Sequence, residues 1–214
     1  MAVTIQEVMQ TLKEDVLRDF STPGLFSDRA CVNAINQAHN LFARRTHCYI
    51  ETNLEIALAV GASDYVLAPR VIHVYNVYDS AGAKIPPYMR RQQPRSRPGA
   101  RPQGYSTDTT SRTIRVWPVP SGISTITLDV AVLPERAVLD PVWHELELDE
   151  QYVDLLLEWA AYKLLRNNDA DASQTISAES FKAAWEEGLT EAKRDFFRER
   201  HGESIQLLPA KWVI

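Results

Sequence analysis

The sequence predicts an α+β protein: an antiparallel four-helix bundle, with two N-terminal and two C-terminal helices, an inserted antiparallel β-domain and an extended C-terminal arm. Apolar residues recur at helical spacing over 1–46 and 135–202, whereas alternating patterns are concentrated in 47–134. The last segment, 203–214, is rich in apolar residues but too short for a domain. We therefore expect a helical domain of 1–46 and 135–202, a β-domain of 47–134 and an arm of 203–214.

Two helices are predicted at the N-terminal end. Thr4 and Glu7 have the spacing of a capping box, in which a hydroxyl and a carboxylate bind free amides at a helix start. Apolar residues at helical spacing continue to Phe20, and Pro23–Gly24 ends this helix. Ser27–Asp28 caps a second helix, whose apolar face is Cys31, Ile35, Ala38, Leu41 and Phe42. The short connection predicts antiparallel neighbours.

Four strands are predicted in the middle of the chain, where the period changes to two. The first and the fourth, 54–60 and 125–132, alternate large apolar side chains with polar or small ones. The second and the third, 71–78 and 113–117, are rich in β-branched and aromatic residues. Pro134 stops the last strand, because proline cannot donate to a sheet.

The segment 90–104, which we call the arginine loop, is the strongest local anomaly. It contains three prolines, two glycines, no acid and five arginines: Arg90, Arg91, Arg95, Arg97 and Arg101. Such a composition buries too little apolar surface to offset its ordering entropy, which predicts a long loop. Three interpretations remain open: a phosphate-binding segment, a solvated loop, or a loop ordered by a neighbouring protein.

Two more helices are predicted after the β-domain. Asp149 precedes the third helix, 150–165, which is apolar nearly all round and must therefore be buried on most sides. The fourth helix, 177–200, has one apolar face and ends before Gly202. Packing the third helix against the other three is the simplest way to cover it.

Composition and charge exclude several classes of protein. The 214 residues are 45% hydrophobic and 24% charged, which is typical of a globular protein. The net charge of −5 argues against a basic nucleic-acid-binding protein. The charge is uneven along the chain: residues 47–134 carry +3, residues 135–202 carry −8, and the remaining residues balance. We expect no signal peptide and no membrane span. Cys31 and Cys48 are expected to remain reduced.

Enzyme signatures are absent from the sequence, which has no nucleophile-elbow, zinc-protease, phosphate-loop or dinucleotide-binding motif. His39, His47 and Cys48 could suggest a metal site, but no second cluster supplies further ligands. A group of acids suits a helix N-terminus better than a paired-carboxylate site. These acids are Glu145, Glu147, Asp149, Glu150, Asp154 and Glu158. We expect no catalytic, cofactor-binding or metal-binding residues.

The C-terminal arm places six large apolar residues within ten positions: Ile205, Leu207, Leu208, Trp212, Val213 and Ile214. Exposed apolar surface of this kind usually marks an interaction site, and tryptophan is a favoured interface anchor. The segment either folds back on its own subunit or anchors in a partner, and we expect the second.

The order of the elements and several short strings resemble the head-to-tail adaptor proteins of tailed phages, especially short-tailed ones, including the tail tubular protein A type. The strings are Tyr65-Val-Leu67 before a strand, Ile114–Pro120 near the end of the β-domain and Trp159–Leu165 in the third helix. The resemblance covers essentially the whole chain and carries no catalytic signature.

The resemblance implies a structural virion protein, made in the host cytoplasm, with no cofactor and no membrane contact. It implies a dodecameric ring beneath the portal that extends the DNA channel, without sequence-specific DNA binding, and carries the tail nozzle or fibres. The helical domain and the arm would engage the portal. The arginine loop departs from the acidic channel that the resemblance implies, and it could face DNA, a neighbouring adaptor subunit or a tail protein; we expect a protein contact. Two alternatives remain: a virion-associated cell-wall hydrolase using the acids of 145–158, and a nucleic-acid-binding factor using the arginine loop.

Overall fold

The computed structural model divides into two compact units, one formed by Met1–Thr46 with Glu135–Ile214 and the other by His47–Pro134. We call them the helical unit and the β unit. Each has its own apolar core. The residues that the structure describes are 3–19, 25–88, 101–108, 110–138, 145–167 and 172–201.

The helical unit contains four α-helices among the described residues. The first continues directly into a π-helical turn, and a 3₁₀ turn precedes the third. The elements are α1 (Ile5–Thr11), the π-helical turn (Leu12–Val16), α2 (Asp28–Thr46), the 3₁₀ turn (Glu150–Tyr152), α3 (Val153–Asn167) and α4 (Ala172–His201).

The predicted capping box fixes the start of α1. The Glu7 backbone N–H donates to Thr4 Oγ1 at 3.3 Å, and the Thr4 backbone N–H donates to Glu7 Oε2 at 2.9 Å. The bond from the Thr4 backbone holds the pKa of the Glu7 carboxyl below its usual value. The backbone widens into the π-helical turn after Thr11, and Arg18 then adopts a φ of 52°. This left-handed residue ends the first helical segment.

Helix α3 is the centre of the helical unit and packs against both α2 and α4. Its residues Leu156 and Ala160 are fully buried. Trp185 of α4 is also fully buried, and its ring centroid lies 5.5 Å from that of Trp159. The predicted burial of this helix is therefore confirmed.

The segment that returns from the β unit is fixed to α2 by one buried side chain. Asn36 Nδ2 donates to the carbonyl oxygen of Ala137 at 2.8 Å, and the Ala137 N–H donates to Asn36 Oδ1 at 2.8 Å. Asn36 Nδ2 also donates to the Val32 carbonyl at 3.0 Å. The amide thereby satisfies both backbone groups of a buried residue 101 positions away.

The β unit contains seven described strands. They are β1 (Ile50–Leu58), β2 (Asp64–Val66), β3 (Val71–Asp79), β4 (Lys84–Ile85), β5 (Gly104–Asp108), β6 (Thr113–Trp117) and β7 (Ser124–Val132). One sheet has the order β1-β7-β3-β4 and the other the order β2-β6-β5, and every pairing is antiparallel. Val77, Ile114, Ile126 and Leu128 are fully buried in its core.

The predicted fold class, a four-helix bundle with an inserted antiparallel β-domain and an extended C-terminal arm, is wrong. Helix α1 spans only seven residues, because the chain passes into the π-helical turn before a helix of bundle length can form. The β unit has two sheets and three further strands. Strands β2 and β4 are too short to show an alternating pattern, and β5 begins at Gly104, which was assigned to the arginine loop. The predicted arm, 203–214, lies outside the described residues.

We predict that Asn36→Ala lowers the free energy of unfolding by about 2–4 kcal/mol, because two buried backbone groups each lose a partner at ~1–3 kcal/mol. Urea unfolding measures the loss. The matched control is Asn33→Ala, one turn earlier, whose Oδ1 accepts an exposed bond from Arg136 at 2.9 Å. The control should cost less than about 1 kcal/mol. Equal losses in the two variants would contradict the role given to Asn36.

Candidate functional site

The base of the arginine loop is described, although most of the loop is not. Arg90, Arg91, Arg95 and Arg97 lie outside the described residues, whereas Arg101 is described and exposed. Gly104, predicted as the last loop residue, is already the first residue of β5. The base can therefore be analysed from the residues that lead into the loop and out of it.

Backbone hydrogen bonds hold both ends of the loop on the second sheet. The Tyr88 N–H donates to the Tyr105 carbonyl at 2.6 Å, and the Tyr105 N–H donates to the Pro86 carbonyl at 3.2 Å. The Gln103 N–H donates to the Trp117 carbonyl at 2.7 Å. The entry and the exit of the loop are therefore anchored on the same sheet, at β5 and the end of β6.

An aromatic clamp rigidifies this base. The Tyr88 ring lies directly on Gly104, where an added Cβ would come within 1.5 Å of Tyr88 Cδ2. The Tyr88 and Trp117 rings meet edge to face, with centroids 5.7 Å apart. Only glycine leaves room for the tyrosine ring, so Gly104 is a packing requirement here. Sequence patterns do not reveal this clamp, because Tyr88 and Gly104 lie at opposite ends of the arginine loop.

A polar groove of about 960 Å³ opens beside the clamp, with residues of both sheets on its walls. Arg115 and Asp64 form a bidentate ion pair in it, with Nε–Oδ1 at 2.6 Å and Nη2–Oδ2 at 3.0 Å. The hydrogen bond that Arg115 donates to Asp64 raises the pKa of the Arg115 guanidinium. Because this pair neutralises the Asp64 carboxylate, the groove suits contact with a polar surface better than acid–base chemistry.

The histidines expected near a possible metal site have other neighbours. The His47 ring stacks on His73 with centroids 5.3 Å apart, and His47 Nδ1 lies 3.0 Å from the Tyr75 hydroxyl. His73 and Tyr75 are two residues apart on β3, and side chains at this spacing lie on the same face of a strand. This spacing is the feature of the sequence that places the two rings together. Among the described residues, no three metal-ligating side chains come together.

The cell-wall-hydrolase alternative, which uses the acids of 145–158, stays a prediction, and two of these acids are neighbours on α3. Asp154 and Glu158 lie one turn apart on α3, so both carboxylates lie on one face of a helix. Burial raises the pKa of the Glu158 carboxyl, and the negative charge of Asp154 raises it further. A hydrolase of this class needs two carboxylates on either side of the scissile bond.

The remaining sequence-predicted site is the apolar arm. All six of its large apolar residues, Ile205, Leu207, Leu208, Trp212, Val213 and Ile214, lie outside the described residues. The last described residue of the helical unit is His201, at the end of α4. In the described part of the chain, no helix combines the length with the apolar character needed to cross a membrane.

His39 is fully buried in α2, and this burial lowers the pKa of its imidazole from 6.5 to about 4. Because the pKa of His39 is lower in the folded than in the unfolded state, its effect on the free energy of unfolding depends on pH. The free energy of unfolding has its full value above pH ~6.5 and decreases as the pH falls towards 4. Between pH 7 and pH 4.5, we predict that the free energy of unfolding falls by about 2–3 kcal/mol more in the wild type than in His39→Gln. This value follows from ~1.36 kcal/mol for each unit of pKa shift.

Urea unfolding of both proteins at the two pH values measures this difference. Val32→Ala provides the control, because it shortens another buried side chain of α2 without removing a titratable group and should keep the pH dependence of the wild type. If His39→Gln and wild type lose equal stability over this range, the buried imidazole is not the titrating group.

Comparison with known proteins identifies the family. The family model described as SU10 adaptor protein matches residues 3–204, nearly the whole chain. No curated protein matches the sequence. The family match confirms the resemblance to phage head-to-tail adaptors and a structural role in the virion, with portal and tail components as the general class of partner. The chain belongs to the SU10 adaptor protein family.

Proposed function

We propose that the chain forms a ring beneath the portal of a tailed phage, extends the DNA channel and joins the capsid to the tail nozzle or fibres. The match of an adaptor family model to residues 3–204 carries this proposal. Twelve copies, the number implied by the resemblance, would form the ring. Two compact units suit this role, because one can contact the portal while the other contacts a neighbour or the tail.

The charge of the helical unit supports DNA passage without specific binding. Residues 135–202 carry a net charge of −8. Glu186, Glu187 and Glu191 are exposed on α4. An acidic face repels phosphates over a Debye length of ~8 Å, whereas a basic lumen would bind the duplex. The channel is therefore expected to present acidic faces, along which DNA can slide.

The arm is the proposed anchor to the portal. Burying one large apolar side chain is worth ~1.5–3 kcal/mol, so its six apolar residues contribute at most about 9–18 kcal/mol. Ordering the backbone of the segment costs ~1–2 kcal/mol per residue, which nearly cancels this gain. One arm therefore binds weakly, but a ring of arms binds tightly through effective concentration. The isolated chain is accordingly expected to be mainly monomeric.

We predict that a chain ending at Ser204 still folds but no longer attaches to portal rings. We expect folding to be retained because Phe196, which packs on Phe42 and Tyr152, still lies before the truncation. Thermal unfolding checks this. Cosedimentation with portal rings measures attachment. The full-length control Lys211→Ala keeps all six apolar residues and should cosediment like the wild type.

Two outcomes of the truncation would contradict this account of the arm. Normal cosedimentation would show that the anchor lies elsewhere in the chain. Loss of the cooperative unfolding transition would show that the segment belongs to its own subunit's core.

The arginine loop is proposed to contact a neighbouring subunit or a tail protein. Its prolines favour extended backbone, which lowers the entropy lost on docking. The clamp of Tyr88 on Gly104 supports this role, because a rigid base presents a loop in one direction. A nucleic-acid contact is the lesser possibility, because no aromatic residue lies between Arg90 and Gly104 to stack on bases.

We predict that changing Arg95, Arg97 and Arg101 together to serine lowers the yield of tailed particles at least tenfold. Electron microscopy of negatively stained particles counts the tails. The control Arg112→Ser removes an exposed arginine from another turn of the β unit and should leave the yield unchanged. Normal tails combined with premature loss of packaged DNA would instead assign the loop to DNA.

A further inference from the structure

Strand β1 is the longest open edge among the described strands of the β unit. It spans nine residues and pairs with β7 on one side only. Two other edge strands are short, since β4 has two residues and β2 has three. The edge of β5 is partly covered, because the Tyr88 N–H donates to the Tyr105 carbonyl at 2.6 Å. Unpaired N–H and C=O groups along an edge are a template on which another chain can pair, so β1 is the edge that most needs protection.

A β-bulge interrupts β1 near its start. The register with β7 shifts between Glu51 and Leu54. Thr52 and Asn53 therefore stand together opposite one residue of β7, Asp129. Asn53 is exposed and has a φ of 61°. A bulge bends the strand, increases its twist and disrupts the hydrogen-bond ladder locally, so only 54–58 remains as a regular edge.

The side chains of β1 protect this edge only weakly. The strand contains neither proline nor lysine, two residues that commonly protect an edge. Its acids are Glu51 and Glu55, and Arg70 Nη2 lies 2.7 Å from Glu51 Oε1, which offsets the first charge. Ile50 is 40% exposed. The bulge is therefore the main feature that interrupts the edge.

We propose that the Asn53 bulge keeps the edge of β1 from pairing with the β1 edge of a second copy, so that the chain stays monomeric in solution. A left-handed residue breaks the extended backbone that a second edge strand needs for continuous pairing. Asparagine suits this position, because its short polar side chain tolerates the left-handed conformation better than most residues do. The inference concerns the chain in solution, and it holds whether or not copies later assemble on a portal.

Deletion of Asn53 from the full-length chain tests the proposal. The deletion places Thr52 opposite Asp129 and leaves the pairs on either side in register, so β1 becomes a continuous nine-residue edge less one residue. We expect the deletion to raise the fraction of dimer about tenfold over the wild type at the same concentration, because the regular edge can now pair. Sedimentation velocity measures the fraction, and far-UV circular dichroism checks folding.

Two further variants separate edge pairing from other causes of association. Asn53→Gly keeps a residue that accepts positive φ, so it retains the bulge and should remain as monomeric as the wild type. Ala57→Lys, added to the deletion, places a lysine at an exposed position of the same edge strand. It should restore the monomer, because a lysine on an edge opposes pairing.

A deletion variant that folds and stays as monomeric as the wild type would overturn the proposal. Association that persists after Ala57→Lys would also overturn it, because the contact would then not involve this edge. Should the deletion prevent folding, Asn53→Val decides in the same way, since a β-branched residue disfavours the left-handed conformation and favours a regular strand. Loss of folding in both variants would overturn the proposal too, because the bulge would then be a requirement of the fold.

Discussion

Burial of α3 is the constraint on which the helical unit depends. An apolar helix of this kind is stable only when other elements cover it, and its cover comes from α2 and α4. Because α2 precedes the β unit in the chain and α3 follows it, the chain must return to α2 after Pro134. The amide of Asn36 fixes this return by binding both backbone groups of Ala137. One packing requirement thereby joins segments that lie about a hundred residues apart.

The β unit meets a different requirement, which is to present exposed segments from rigid supports. At one place the Tyr88 ring on Gly104 fixes the base of the arginine loop. At another the Tyr65 hydroxyl braces the turn that carries Val60. Both arrangements reduce the entropy lost when a partner binds. In the proposed ring, small gains at each contact between copies would multiply.

The sequence predicted the elements that have a long regular pattern and missed those that do not. Strands β1 and β7 were found because apolar side chains alternate with polar or small ones along them, and β3 and β6 because they are rich in β-branched and aromatic residues. The short strands β2 and β4 gave no such signal, and β5 begins at a glycine that was assigned to the loop. The predicted four-helix bundle was wrong because apolar residues keep their helical spacing from Leu12 to Val16, whereas the backbone leaves the α-helix there. At the candidate site, the clamp depends on a contact between residues distant in sequence, which periodicity does not reveal.

Copies of this chain are proposed to assemble as a ring on a portal. Native mass spectrometry of portal rings mixed with excess purified chain tests it most directly. One copy has a mass of 24.2 kDa, so twelve copies would add about 290 kDa. We predict this single step, with few intermediate masses, because the contacts reinforce one another around the ring. A portal mass that stays unchanged, or that rises by scattered single copies without a closed set, would contradict the account.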